Sequence, residues 1–243
     1  MPPKRRAKKL LPLSGSEKRY THRFWGSRRG VGNNNCYAYA FGDYEGYRGA
    51  KSTPGDRAKT HRYGSLKCRD LAKGVLADNK KKVYKAKPTA RCKPGYFKAM
   101  MVVAPGRDFH FYRQHGEIEL KIKRGDTAAS IARFLKIPLG RVRAGIGKHK
   151  GRDPKTGKLR VGKNVRIKCN GWSHKRGWAT GPLLHDAKGK VIKDPRRASR
   201  NYPGLNYSKF CGAFCVKERG IRTGHDWRLR RRPLVRVHQD RLC

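Results

Sequence analysis

The 243-residue sequence predicts an α+β fold built on a small antiparallel sheet, and three stretches carry that prediction. GYFKAMMVVAP at 95–105 and FHFYRQH at 109–115 are β-rich runs separated by a tight turn at Gly106-Arg107-Asp108, which is a hairpin signal. CRDLAKGVLA at 68–77 spaces Leu71, Val75 and Leu76 as one helical face. NNNCYAYAFGDY, starting at Asn33, sets Cys36 at a helix start. The apolar runs are short: KAMMVVAP at 98–105 falls far below the roughly 20 residues of a membrane span.

In chain order, residues 1–32 read as a basic N-terminal arm ending in an aromatic anchor, Phe24-Trp25. The Cys36 helix follows, then a Gly- and Pro-punctuated stretch to about Ser65, the 68–77 helix and the hairpin. Residues 117–168 form a separable unit that interrupts a domain made of 33–116 and 169–216. Within the second part, GWSHKRGWATG reads as a strand and turn, and the stretch from Tyr207 to Cys215 as a short helix. Residues 217–243 are a second basic arm.

Sixty-two Lys and Arg against sixteen Asp and Glu give a formal charge of +46, spread over the whole chain. A fold with that charge repels itself unless an anionic partner lies against it, whether nucleic acid, lipid headgroups or acidic protein. The candidate anion or nucleic-acid contacts are Lys4, Arg5, Arg6, Lys8, Lys9, Arg28, Arg29, Lys148, Lys150, Arg152, Arg230, Arg231 and Arg232. With 36% hydrophobic residues the chain is a folded protein and not a disordered polycation. The opening residues lack the apolar core of a secretory signal. Seven cysteines at irregular spacing do not describe a disulfide framework, so a reducing site of synthesis and core thiols at Cys211 and Cys215 are expected. No metal site and no cofactor are expected.

Residues 118–168 run IELKIKRGDTAASIARFLKIPLGRVRAGIG, a basic loop, then KLRVGKNVRIK. Leu120 and Ile122 mark a strand, Thr127 a helix cap, Ile131, Ala132 and Leu135 a first helix. Ile137 to Ile146 give a second helix, and Leu159, Gly162, Val165 and Ile167 a closing strand. This unit resembles the LysM family over its full length. That resemblance implies a βααβ fold and a glycan partner, an N-acetylglucosamine polymer. Ala128 stands where the family usually has Leu, and the loop GKHKGRDPKTGK is basic where a polar rim is usual.

With the insert excised, N-C-Y-x-Y-A, DFHFYRQ, WSHK-x-G, D-x-x-G-x-x-I-x-DP and FCGAFC form one pattern over 33–216. It resembles the small papain-like proteins of the NlpC/P60 and CHAP groups, found in bacteria and in large DNA viruses. The resemblance implies Cys36 as nucleophile, its thiolate favoured by the helix start, His110 as general base and His174 as the orienting residue. Asn34 or Asn35 supplies an oxyanion donor. Two functions are expected from these features. The first is a basic structural protein of a large DNA virus, a minor capsid or internal virion component. It is made in the host cytoplasm and lies on the inner side of the capsid, against acidic capsid proteins, DNA or anionic lipid, without spanning the membrane. The alternative is a cysteine peptidase or amidase that the LysM-like unit directs to a cell wall.

Overall fold

The computed structural model describes residues 10–46, 51–60 and 65–224. Three helices come first: α1 (Arg28–Gly32), α2 (Cys36–Phe41) and α3 (Cys68–Asp78). The strands β1 (Val83–Ala86), β2 (Tyr96–Ala104) and β3 (Asp108–Lys121) follow, then the helices α4 (Ala128–Leu135) and α5 (Leu139–Lys148). The chain closes with β4 (Asn164–Lys175), β5 (Pro182–Leu183), β6 (Asn201–Tyr202), β7 (Leu205–Asn206) and β8 (Lys209–Lys217). Six strands form one antiparallel sheet in the order β1-β8-β2-β3-β4-β5, so the fold is α+β. Among the described residues no helix is long and apolar enough to cross a membrane.

Alternation along β2 and β3 sorts the core into two layers. Ala99, Met101, Val103, Phe109 and Phe111 face α2 and α3, and pack with Tyr37, Phe41, Leu71 and Val75. Met100, Val102, Ala104 and Tyr112 face the other way and are covered by Leu11, Trp172, Ile192 and Tyr207. A third core lies beyond a register shift between His115 and Glu117, where β3 and β4 continue past the sheet centre. There the two strand ends, α4 and α5 enclose Ile118, Ile131, Leu135, Val142, Ile146, Val165 and Ile167. Thr127 caps α4 as the sequence predicts, in a reciprocal pair with Ser130. The insert therefore has no linker: two long strands are shared by both units.

Three expectations need correction. The stretch from Tyr207 to Cys215 is not a helix: Lys209–Lys217 is the strand β8, paired with both β1 and β2. Its alternating Phe214 and Val216 fill the helix-facing layer, and pairing on both edges overrides the four-residue cysteine spacing. The cysteines are not core thiols. Cys68–Cys211 and Cys92–Cys215 are disulfides, and only Cys36 and Cys169 are free among the described residues. A β-bulge explains how positions four apart on one strand bond to opposite layers. Met101 pairs with Gly212 and Val102 with Phe210, which leaves Cys211 as the extra residue. Cys211 is thereby turned toward α3, while Cys215 faces Cys92 and Tyr96. Finally, the N-terminal arm is part of the fold from Leu10 on. Leu11, Tyr20 and Trp25 are buried, Tyr20 bridges to Ile118, and Trp25 stacks on Tyr44 with centroids 4.7 Å apart. Lys4, Arg5, Arg6, Lys8, Lys9, Arg230, Arg231 and Arg232 lie outside the described residues.

Candidate functional site

Helix α2 is short and strongly capped. The Asn35 side-chain oxygen accepts from the backbone N–H groups of Tyr37 and Ala38, both at 3.1 Å, and Gly42 closes the helix at φ 75°. Cys36 is its first residue. The thiol is buried, and Sγ donates to the Phe109 carbonyl at 3.7 Å on the backbone of β3. Desolvation pushes its pKa up to about 12, with the nearby Asp108 carboxylate adding to the shift and Lys175 opposing it. The expected thiolate preference of a helix start is overridden here, because burial of the charged form costs more than one helix terminus returns.

His110 leaves β3 on the other face. It sits across from Val102, beside Tyr112 and Tyr207, with ring centroids 5.2 and 5.1 Å away. Its Nε2 meets His174 Nδ1 at 2.8 Å, and His174 Nε2 lies 2.9 Å from the His185 carbonyl. A carbonyl only accepts, so His174 carries its proton on Nε2, and its Nδ1 accepts from His110. His110 is then left with a lone pair on Nδ1. Desolvation, His174 and Arg176 hold the His110 pKa well below the usual imidazole range. Desolvation takes His174 down to about 4, against the opposing His185 carbonyl. The structure thus joins His110 to His174 and hydrogen-bonds Cys36 to neither.

Of the two oxyanion candidates, Asn35 is fully used: its oxygen caps α2 and its amide donates to the Ser52 carbonyl at 2.7 Å. Asn34 is wholly buried with neither amide atom paired among the described residues.

Two buried groups on β4 escaped the sequence reading. Lys175, at the end of β4, is buried and donates to the carbonyls of Val31, Asn34 and Gly177. Desolvation lowers its pKa to about 8, while Cys36 acts in the opposite sense. Two positions earlier on the same face, Ser173 Oγ lies 2.5 Å from Tyr39 Oη and 2.5 Å from His115 Nε2. His115 donates from Nδ1 to the Lys18 carbonyl at 2.7 Å. Tyr39, His115 and Ser173 are buried, so this serine–histidine contact lies within the core. The available signal was the alternation of Ser173 and Lys175 in WSHK, which places both opposite His174.

Among the basic candidates, Arg28 and Arg29 are exposed on α1, and Lys148, Lys150 and Arg152 are exposed at the end of α5 and in the following loop. No cluster of metal-ligating side chains occurs among the described residues. Compared with family models, curated proteins and solved structures, the chain matches none.

Proposed function

We propose that this protein is a non-catalytic, polyanion-docking structural protein, a minor capsid or internal virion component of a large DNA virus. Its scaffold is papain-like and its insert LysM-like. One observation carries the docking: carboxylates are engaged in bonds within the fold while many cations, Arg28, Arg29, Lys148, Lys150 and Arg152 among them, stand exposed. Glu119 alone holds Arg19, Arg23 and Arg166. Asp43 binds Thr223 and Arg222, Asp78 binds Tyr37 and two backbone amides, and Asp186 binds the amides of Lys188, Lys190 and Ser199. With these carboxylates taken up within the fold, the charge of +46 is left to be neutralised by a partner. The virion assignment rests on the family resemblance and on that need for an anionic surround. Lysine-directed crosslinking of the native assembly tests it, with Lys148 and Lys150 as described reporters. Crosslinks to acidic protein or DNA within a particle support the proposal, and a free monomer without partners overturns it.

A second reading, a cysteine hydrolase, is favoured by the place of Cys36 at the start of α2 and by the paired histidines. Iodoacetamide decides between them. The structural reading expects alkylation of native Cys36 at pH 7.5 to be far slower than that of an unfolded cysteine. Rapid alkylation, with a hydrolytic activity that Cys36→Ala abolishes, would reverse the order of the two.

A further inference from the structure

A groove of about 580 Å³ runs between α5 and the insert ends of β3 and β4. One wall carries Arg141 and Lys148 from α5, the other Arg166 and Lys168 from β4. Gly145 sets the width: a Cβ there would stand 2.5 Å from the Arg166 carbonyl oxygen, so only glycine lets the two basic walls approach this closely.

The charge in the groove is not cancelled locally. Glu117, the carboxylate on its border, is held by Arg19 at 2.6 Å. Arg166 reaches Glu119 at 3.5 Å, but that carboxylate already holds Arg19 and Arg23. Arg141, Lys148 and Lys168 make no ion pair among the described residues and are exposed.

The cations are placed for a strand of charges. Arg166 and Lys168 are two strand residues apart, about 6.6 Å, and Arg141 and Lys148 seven helical residues apart, about 10.5 Å. Each wall thus sets two cations along the phosphate row of one DNA strand, which carries one charge per nucleotide. An acidic peptide would also bring backbone N–H groups in need of acceptors. The nearby side-chain acceptors are engaged: Glu117 by Arg19, and Asn170 Oδ1 by Gln114 at 3.0 Å. A lipid surface is flat and does not enter a groove.

We propose that this groove binds the phosphodiester backbone of duplex DNA, one strand running along the seam where α5 meets β4. The proposal rests on the polyanion-docking reading above and gives that reading a site. The test is duplex binding by the full chain, followed by fluorescence anisotropy from 50 to 200 mM salt, for two quadruple variants. The first is Arg141→Gln, Lys148→Gln, Arg166→Gln and Lys168→Gln. The second removes equal charge from exposed positions far along the chain: Lys80→Gln, Lys85→Gln, Lys87→Gln and Arg91→Gln.

The groove variant is expected to reduce the slope of log K against log salt by about 3.6, from four contacts at about 0.9 each, and the control by less than half of that. Lysine acetylation of the wild-type chain gives a readout that needs no variant: DNA should protect Lys148 and Lys168 and leave Lys80 and Lys87 open. Equal slopes in the two variants, or equal protection at the four lysines, overturns the groove while leaving general polyanion docking in place. Protection by polyglutamate or anionic vesicles but not by DNA overturns the choice of partner. A wild-type chain whose DNA binding is flat in salt removes the electrostatic reading itself.

Discussion

The buried imidazole pair makes stability depend on pH in a way that His174 reports. Its folded pKa is about 4 because burial disfavours the imidazolium, whereas an unfolded histidine titrates near 6.5. The unfolded chain therefore binds the proton first as pH falls, and folding loses free energy through the window from about 6.5 to 4. Stability from this group is complete above the unfolded pKa. Between pH 7 and pH 4.5 the loss comes to roughly 2.5 kcal/mol, at about 1.36 kcal/mol per unit of separation. His110 and His115 shift in the same direction, while Asp78, raised to about 6 by desolvation, acts in the opposite sense as pH falls. A difference measurement separates His174 from these. Urea unfolding of wild type and His174→Gln at pH 7 and pH 4.5 should show the variant less stable at pH 7, because the bonds to His110 and the His185 carbonyl are changed. It should then lose about 2.5 kcal/mol less than wild type on acidification. An identical pH dependence in the two proteins would refute a buried, neutral His174.

Two further outcomes follow from the same structure. Non-reducing digestion and mass spectrometry should recover Cys68–Cys211 and Cys92–Cys215. Serine replacement of one pair should lower stability by about 2–5 kcal/mol, since each bond closes a loop of more than a hundred residues. Glu119→Gln should cost roughly 1–3 kcal/mol in thermal or urea unfolding, most at low salt, because Arg19, Arg23 and Arg166 converge on one buried carboxylate; an unchanged midpoint would show that the cluster contributes nothing.

What the sequence made legible was local. The β2–β3 hairpin, the helix at 68–78 and the capped helix of the insert all follow from periodicity and turn chemistry within a dozen residues. The strand β8 did not, because KFCGAFCVK carries both a four-residue cysteine spacing and a β-rich composition. Only pairing with β1 and β2, more than a hundred residues away, decides between them. The disulfides were hidden for a related reason: the bulge that separates Cys211 from Cys215 is a property of the β2–β8 register, not of spacing. Trp25 was legible as an aromatic anchor, but the burial of Leu11 and Tyr20 was masked by the basic residues around them, whose charge outweighs two apolar side chains in any composition window. For the site, alternation along the strand puts His110 opposite Phe109 and Phe111. Which of those faces α2 would cover was set by the docking of a helix, and no local signal carries that.

That choice of face is what separates the two functional readings. A cysteine nucleophile works as thiolate beside imidazolium, so its partner must gain the proton the thiol gives up. Here desolvation moves the thiol of Cys36 up to about 12 and the imidazole of His110 down, so burial opposes both halves of that transfer. Lys175 is the cation that does favour the thiolate, yet its ammonium already donates to three carbonyls and is itself pushed down to about 8. Ionising Cys36 would therefore require water or substrate to enter beside Phe109 and detach the thiol from its carbonyl. The surface cations need no such rearrangement, being exposed and short of carboxylates as they stand. Docking to a polyanion uses the molecule in the state in which it folds, whereas hydrolysis would first have to open its core.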